Sequence, residues 1–209
     1  MTSKIMRREA VLLLGPTGSG KTPLGNLMEK KGLGRQRCYH FDFGENLRLM
    51  AKSKKPDKRF TPEEISFINE VLASGALLEN EHFYLARKIL DWFITRNRVS
   101  SEGLIILNGL PRHIGQAKEI DSILDIETVV HLTCAPKTIQ ARIKNNSGGD
   151  RSGRTDDGLD AIKNKIALFN QRTSKLIEHY RAAGTRIVNI TVTEKTTPKE
   201  MLKALSKHL

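Results

Sequence analysis

Residues 10–22 read AVLLLGPTGSGKT: a run of five apolar residues, followed at once by Gly15, Pro16, Thr17, Gly18, Ser19, Gly20, Lys21 and Thr22. From Gly15 onward the stretch fits the pattern G-x-x-x-x-G-K-[ST] in full. Glycines at these positions let successive backbone N–H groups turn inward around phosphate oxygens, and a helix opening at the lysine adds its positive dipole end. In such a loop Lys21 reaches the β and γ phosphates of a nucleoside triphosphate, and the Thr22 hydroxyl is placed to bind Mg²⁺. Leu24, Leu27 and Met28 then recur at helical spacing. The stretch therefore reads strand, phosphate loop, helix, the opening of a P-loop NTPase fold.

The same alternation continues along the chain. CYHFDF (38–43) is a second extended segment and leads into a helix near Glu45–Met50. Thr61-Pro62-Glu63-Glu64 combines an N-cap residue, a proline at the first helical position and a glutamate three residues after the cap, so a helix is expected to open there and to close at Gly75. Another helix fits 81–96, with Phe83, Ala86, Leu90 and Phe93 on one face. LIIL (104–107) is short and continuously apolar, as in a strand covered on both faces. TVVHLT (128–133) is a fourth strand, and Pro136 opens the helix that carries Ile139, Arg142 and Ile143. Residues 145–158, NNSGGDRSGRTDDG, are polar and glycine-rich and read as a loop. From Ile162 to Tyr180 the apolar spacing predicts one long amphipathic helix, which Gly184 ends. Residues 186–190 form a last strand, and a terminal helix begins near Pro198. Strands alternating with helices predict an α/β architecture with a five-stranded parallel sheet flanked by helices. A chain of 209 residues is expected to form a single domain, with an insert over 44–80 and a short lid over 145–158.

Composition narrows the partners. A formal charge of +12 suits nucleic acid, an acidic surface or a polyphosphate substrate. Nucleic-acid binders interleave their basic residues with exposed aromatics, which are only 5% of this chain, so nucleic acid is not the expected partner. No apolar run approaches the roughly 20 residues of a membrane span, and the first strand begins too early for a signal peptide. Cys38 and Cys134 lack metal-like spacing and are expected to be reduced and buried. The expected setting is the cytoplasm, with the chain acting as a monomer.

The phosphate loop fixes nucleotide binding but not the phosphoryl acceptor. Four later stretches carry a resemblance to the adenylate kinases and related nucleoside monophosphate kinases. HFDFGENLR (40–48) resembles the segment whose arginine grips the acceptor monophosphate, here Arg48, with Phe43 and Gly44 beside it. GALLENE (75–81) is similar to the monophosphate-binding insert, and LNGLPRHIGQA (107–117) to the Asp-Gly-Phe-Pro-Arg signature. There Gly109 and Arg112 match the phosphate-binding turn, and Gln116 matches the residue that reads the adenine edge. GRTDD (153–157) resembles the lid, whose arginines close over the transferring phosphate. The resemblance implies transfer of the γ-phosphoryl of ATP to a nucleoside monophosphate, with AMP favoured. It assigns catalysis to Lys21, Arg112, Arg142 and Arg154, the ATP side to residues 15–22 with Arg142 and Arg151, and the acceptor side to Arg154 and Lys165 as well.

The chain also departs from that pattern. Pro23 follows Thr22, Phe43 replaces a small residue, Glu45 replaces an aspartate, and Asn146 and Lys165 stand where arginines are usual. The largest departure is Asn108 in the aspartate position, since an amide holds a metal-bound water but adds no charge to attract Mg²⁺. Lower metal affinity and a slower rate are expected, with Glu45 or Asp42 restoring part of the charge; in this reading Mg²⁺ sits on Thr22, with Asn108 and Glu45 acting through water. Two alternatives stand beside the kinase: an adenylate-kinase-like protein that binds nucleotides with little turnover, and a P-loop transferase acting on RNA. GPTGSGKT also resembles the opening of tRNA dimethylallyltransferases, whose later segments are not found.

Overall fold

The computed structural model describes residues 7–53, 57–76, 78–150 and 158–208. Five parallel strands, β1 (Arg8–Leu14), β2 (Cys38–Asp42), β3 (Leu104–Asn108), β4 (Leu124–Cys134) and β5 (Arg186–Val192), make one sheet in the order β2-β3-β1-β4-β5. The chain leaves β1 toward β2 and β3 and later crosses to the other side for β4 and β5. That reversal opens a crevice at the carboxyl ends of β1 and β3, where open α/β sheets bind ligands.

Every residue of β2 and β3 is buried, because helices cover both faces of the sheet. Along β1 the faces alternate as a pleated strand requires. Ala10, Leu12 and Leu14 join Phe41, Ile105 and Leu107 under α2 (Phe43–Lys52), α4 (Phe83–Arg96) and α5 (Ile114–Asp121). Val11 and Leu13 join Leu24, Met28, Met201 and Leu205 under α1 (Lys21–Lys31) and α9 (Pro198–Leu205). The fit of α1 on β2 is closest at Gly25, where an added Cβ would lie 2.3 Å from the His40 ring.

The helix α3 (Pro62–Ser74) opens on the reciprocal Thr61–Glu64 capping box and closes on Gly75 at φ 66°, as its sequence predicts. Two elements differ from expectation. β4 begins at Leu124 rather than near Thr128, with a register shift opposite Ala10 and Val11. Its first residues alternate buried Leu124 and Ile126 with exposed Asp125 and Glu127, a pattern that in sequence looks like a charged loop. The single long helix expected over 162–180 is instead α7 (Leu159–Leu168), a π-helical turn (Phe169–Thr173) and α8 (Lys175–Ala182). Such widened turns occur frequently at functional sites.

Cys38 is buried, and that burial pushes its thiol up to about 12. Cys134, at the end of β4, is half-buried rather than buried. Among the described residues no helix is long and apolar enough to cross a membrane.

Candidate active site

The phosphate loop bridges β1 and α1. Gly18 and Gly20 take φ of 80° and 99°, a region that L side chains avoid, which bends the backbone around the loop. Gly20 caps α1 without a side-chain hydrogen bond, leaving the helix N-terminus facing the cleft. The Lys21 ammonium folds back and donates to the carbonyls of Gly15 (2.7 Å) and Pro16 (2.9 Å). Ser19 is fully buried, and its hydroxyl finds no hydrogen-bond partner among the described residues.

One cleft joins this loop to the ends of β2 and β3. Gly15, Thr17, Gly18, Gly20, Lys21 and Thr22 line it on one side; Gly44, Arg48, Gly109 and Arg112 line it on the other. Asn108, Arg142 and Lys165 are further expected residues that it gathers. Leu47, Val71, Leu72 and Ala76 from α2, α3 and the turn after α3 give it an apolar wall. Among the described residues five cationic side chains, Lys21, Arg48, Arg112, Arg142 and Lys165, face it against two carboxylates, Asp42 and Asp150. That balance suits a polyanionic ligand.

Arg112 sits in the turn after β3. Its Nε donates to the Gly109 carbonyl (2.8 Å), its backbone N–H donates to Gln116 Oε1 (2.8 Å), and its carbonyl accepts from Thr173 Oγ1 (2.8 Å). The π turn thus fixes the arginine's backbone from behind. Its neighbour Arg172 forms a bidentate pair with Glu79 (2.5 and 2.8 Å), and that partner holds the Glu79 carboxyl below its usual value. Arg142, on α6 (Pro136–Lys144), is buried against main chain: Nε donates to Gly18 O (3.0 Å), and Nη1 to the carbonyls of Thr193 (2.8 Å), Glu194 (3.3 Å) and Thr196 (3.0 Å). It braces the phosphate loop against the segment after β5.

Other expected site residues lie elsewhere. Pro16 and Ser19 belong to the loop but do not line the cleft. Phe43, at the start of α2, packs under the helix against Phe41 with ring centroids 6.1 Å apart. Gln116 is 1% exposed and spends its amide on main chain, Oε1 on Arg112 N and Nε2 on the Leu78 carbonyl (2.8 Å). To read a base edge it must release Leu78. His113, which the sequence did not single out, grips the same carbonyl through Nε2 (3.0 Å) while Nδ1 accepts from Gln116 N (3.4 Å). Glu45 is exposed and outside the cleft. Arg151 and Arg154 lie outside the described residues.

Behind the loop is a buried polar cluster. Asp42 caps α2, its Oδ1 accepting from Glu45 N (3.0 Å) and its carbonyl accepting from Asn46 Nδ2 (2.8 Å). The other oxygen, Oδ2, accepts from Thr22 Oγ1 (2.7 Å) and from Asn108 Nδ2 (2.8 Å). A carboxylate only accepts, so Asn108 must turn its NH₂ toward it. The same NH₂ lies 3.0 Å from Thr22 Oγ1 and 3.4 Å from His40 Nε2. His40 Nδ1 faces Asn26 Oδ1 at 2.7 Å, which places the ring proton on Nδ1 and the lone pair toward Asn108. Burial is the largest influence on His40 and lowers its pKa, against the opposing charge of Asp42.

His40 makes the stability of the fold depend on pH. Its folded pKa lies below the value of about 6.5 of an unfolded histidine, so acid binds the unfolded chain first and stability falls as pH drops from about 6.5 through the folded pKa. H40Q should remove that part of the slope of urea midpoint against pH between 7 and 5, whatever it does to the midpoint itself. An unchanged slope would contradict a neutral buried His40.

No group of three or more His, Cys, Asp or Glu is placed to hold a metal among the described residues. The oxygens of Thr22 and Asp42, 2.7 Å apart beside the phosphate loop, still fit Mg²⁺. That ion prefers oxygen ligands and leans mainly on phosphates and water, with only one or two carboxylates.

A scan against models of known protein families matches none. Whole-chain comparison does find relatives. The chain is 30% identical over 178 residues to the adenylate kinase of Azobacteroides pseudotrichonymphae, covering 82% of this chain and 83% of that protein. It is 28% identical over 182 residues to that of Stenotrophomonas maltophilia, covering 84% and 87%, and 28% identical over 183 residues to that of Prochlorococcus marinus, covering 85% and 87%. With a phosphate loop at β1, a cationic cleft at the ends of β2 and β3, and relatives that match over most of their length, this chain belongs to the adenylate kinase family of phosphotransferases.

Proposed function

We propose that the protein transfers the γ-phosphoryl group of ATP to a nucleoside monophosphate, with AMP the favoured acceptor. The observation that carries this reading is the single cleft lined by both the phosphate loop with Lys21 and the arginines Arg48 and Arg112. Phosphoryl transfer needs in-line positioning, neutralised oxygens and exclusion of water more than covalent assistance.

In this reading the loop N–H groups and Lys21 hold the β and γ phosphates. Arg48 and Arg112 grip the acceptor phosphate and aim one of its oxygens at the γ phosphorus. That oxygen forms the new P–O bond as the bond from the γ phosphorus to the β–γ bridging oxygen breaks, and the electron pair leaves with ADP. Arg142 keeps the loop in place through Gly18, and Lys165 adds charge from α7. Residues 44–80 serve as the acceptor insert. Residues 145–158, with Arg151 and Arg154, serve as a lid that closes on ATP. Thr22, with the Asp42 carboxylate beside it, would hold Mg²⁺, which would neutralise phosphate charge. The apolar wall of Leu47, Val71 and Leu72 takes the acceptor's base, and Gln116 contributes once Leu78 is released. We take the protein to act as a cytoplasmic monomer.

AMP is preferred because the relatives are adenylate kinases. Purified protein with ATP, Mg²⁺ and each of AMP, CMP, UMP and GMP should form ADP fastest with AMP in a coupled assay. Turnover with none of them, alongside measurable ATP binding, would sink the kinase reading in favour of a binding protein.

A further inference from the structure

We propose that Asp42, held in place by Asn108, is the carboxylate toward which the Mg²⁺ of a bound nucleoside triphosphate is oriented, so that the end of β2 supplies the charge that the end of β3 lacks. The inference rests on the kinase reading and names a positioning pair within it. Of the two carboxylates that line the cleft among the described residues, Asp42 is the one hydrogen-bonded to Thr22, the hydroxyl at the mouth of the phosphate loop. It is 8% exposed, so its charge meets little screening by solvent. Its orientation is fixed: Oδ1 is committed to the α2 cap, which leaves Oδ2 as the oxygen that faces Thr22.

Asn108 explains why the second position is an amide. The parallel register sets Asp42 directly beside Asn108, and the Asn108 nitrogen lies 2.8 Å from Asp42 Oδ2. Two carboxylates at that separation would repel, and one would hold a proton. An amide instead donates to Asp42 and to Thr22 and leaves a single full charge on the pair. Aspartate and asparagine are nearly the same shape, so the charge can be exchanged between the two strands with little change in packing.

Asp42 also caps a helix, and the test must separate that role from attraction of a metal. The affinity for a non-transferable ATP analogue is measured by calorimetry with excess Mg²⁺ and again with EDTA, and the ratio gives the gain due to metal. Outer-shell partners of a metal change its affinity by roughly 10–100-fold. D42N keeps a good capping side chain and should lose about tenfold or more of the gain while binding the analogue in EDTA at least as well as wild type. The exchange variant D42N/N108D, which moves the carboxylate to β3, should recover most of the gain. A D42N protein with the wild-type ratio would overturn the proposal, and so would an exchange variant no better than D42N, because a capping defect is not repaired from another strand. Failure of the wild type to bind the analogue even in EDTA would instead overturn the kinase reading.

Discussion

Replacing Lys21 by alanine is expected to lower kcat by about 10³-fold, roughly 4 kcal/mol of transition-state stabilisation. The lysine is the one ammonium that the phosphate loop itself supplies to the cleft, and its Nζ lies within 2.9 Å of two loop carbonyls, where the proposed transfer would place phosphate oxygens. A preorganised charge meets the transferring group without reorganisation, which is why one missing donor costs so much. The loss should appear in kcat more than in nucleotide affinity, since the backbone N–H groups and the open N-terminus of α1 still bind phosphate. The two bonds to Gly15 and Pro16 are partly exposed to solvent, so the melting temperature should change little. Steady-state rates and calorimetric binding of the same preparation check this. A K21A protein within tenfold of wild-type kcat would mean that the phosphoryl group is not transferred at this loop.

The second large effect is expected at Arg112. R112K keeps the charge but should cost roughly 10²-fold in kcat and raise KM for the monophosphate, with KM for ATP unchanged. A guanidinium can anchor with one nitrogen and present others as a fork. Here Nε is anchored on Gly109 O at 2.8 Å, which sets the plane of the group over the turn. An ammonium can hold that carbonyl or a phosphate oxygen, but it offers no second, parallel donor to fix the acceptor's direction of attack. Titrating AMP at saturating ATP reads the effect. A change confined to KM for ATP would place Arg112 on the donor side instead.

The parts of this molecule that were legible in sequence are those whose physics is local. AVLLLGPTGSGKT contains its own strand, turn and helix start, and the Thr61–Glu64 cap closes on itself within one helical turn. What stayed hidden depends on distant partners. Asp42 and Asn108 are 66 residues apart, and only the parallel register of β2 and β3 makes them neighbours. The sequence therefore shows a missing charge at Asn108 and offers Glu45 and Asp42 alike as compensators, whereas the fold turns Glu45 outward and Asp42 inward. The likeness points Gln116 at a nucleotide base and gives no sign that its amide holds a carbonyl 38 residues away. The π turn was invisible because Phe169, Thr173, Leu176 and Tyr180 keep an apolar rhythm across it. The widening shows only where Thr173 reaches Arg112 and Arg172 reaches Glu79.

The double grip on Leu78 has a consequence for how this sequence can drift. His113 and Gln116 both hold a main-chain oxygen, which every amino acid carries, so residue 78 can change among apolar side chains that fit its buried position without loosening the clamp. The burden of heredity falls on the two donors instead. If Gln116 alone is lost, His113 still holds the carbonyl but no longer shares it; if His113 alone is lost, α5 loses its cap and Gln116 N–H its acceptor. Among descendants of this chain, positions 113 and 116 should therefore change together, while position 78 varies independently of both.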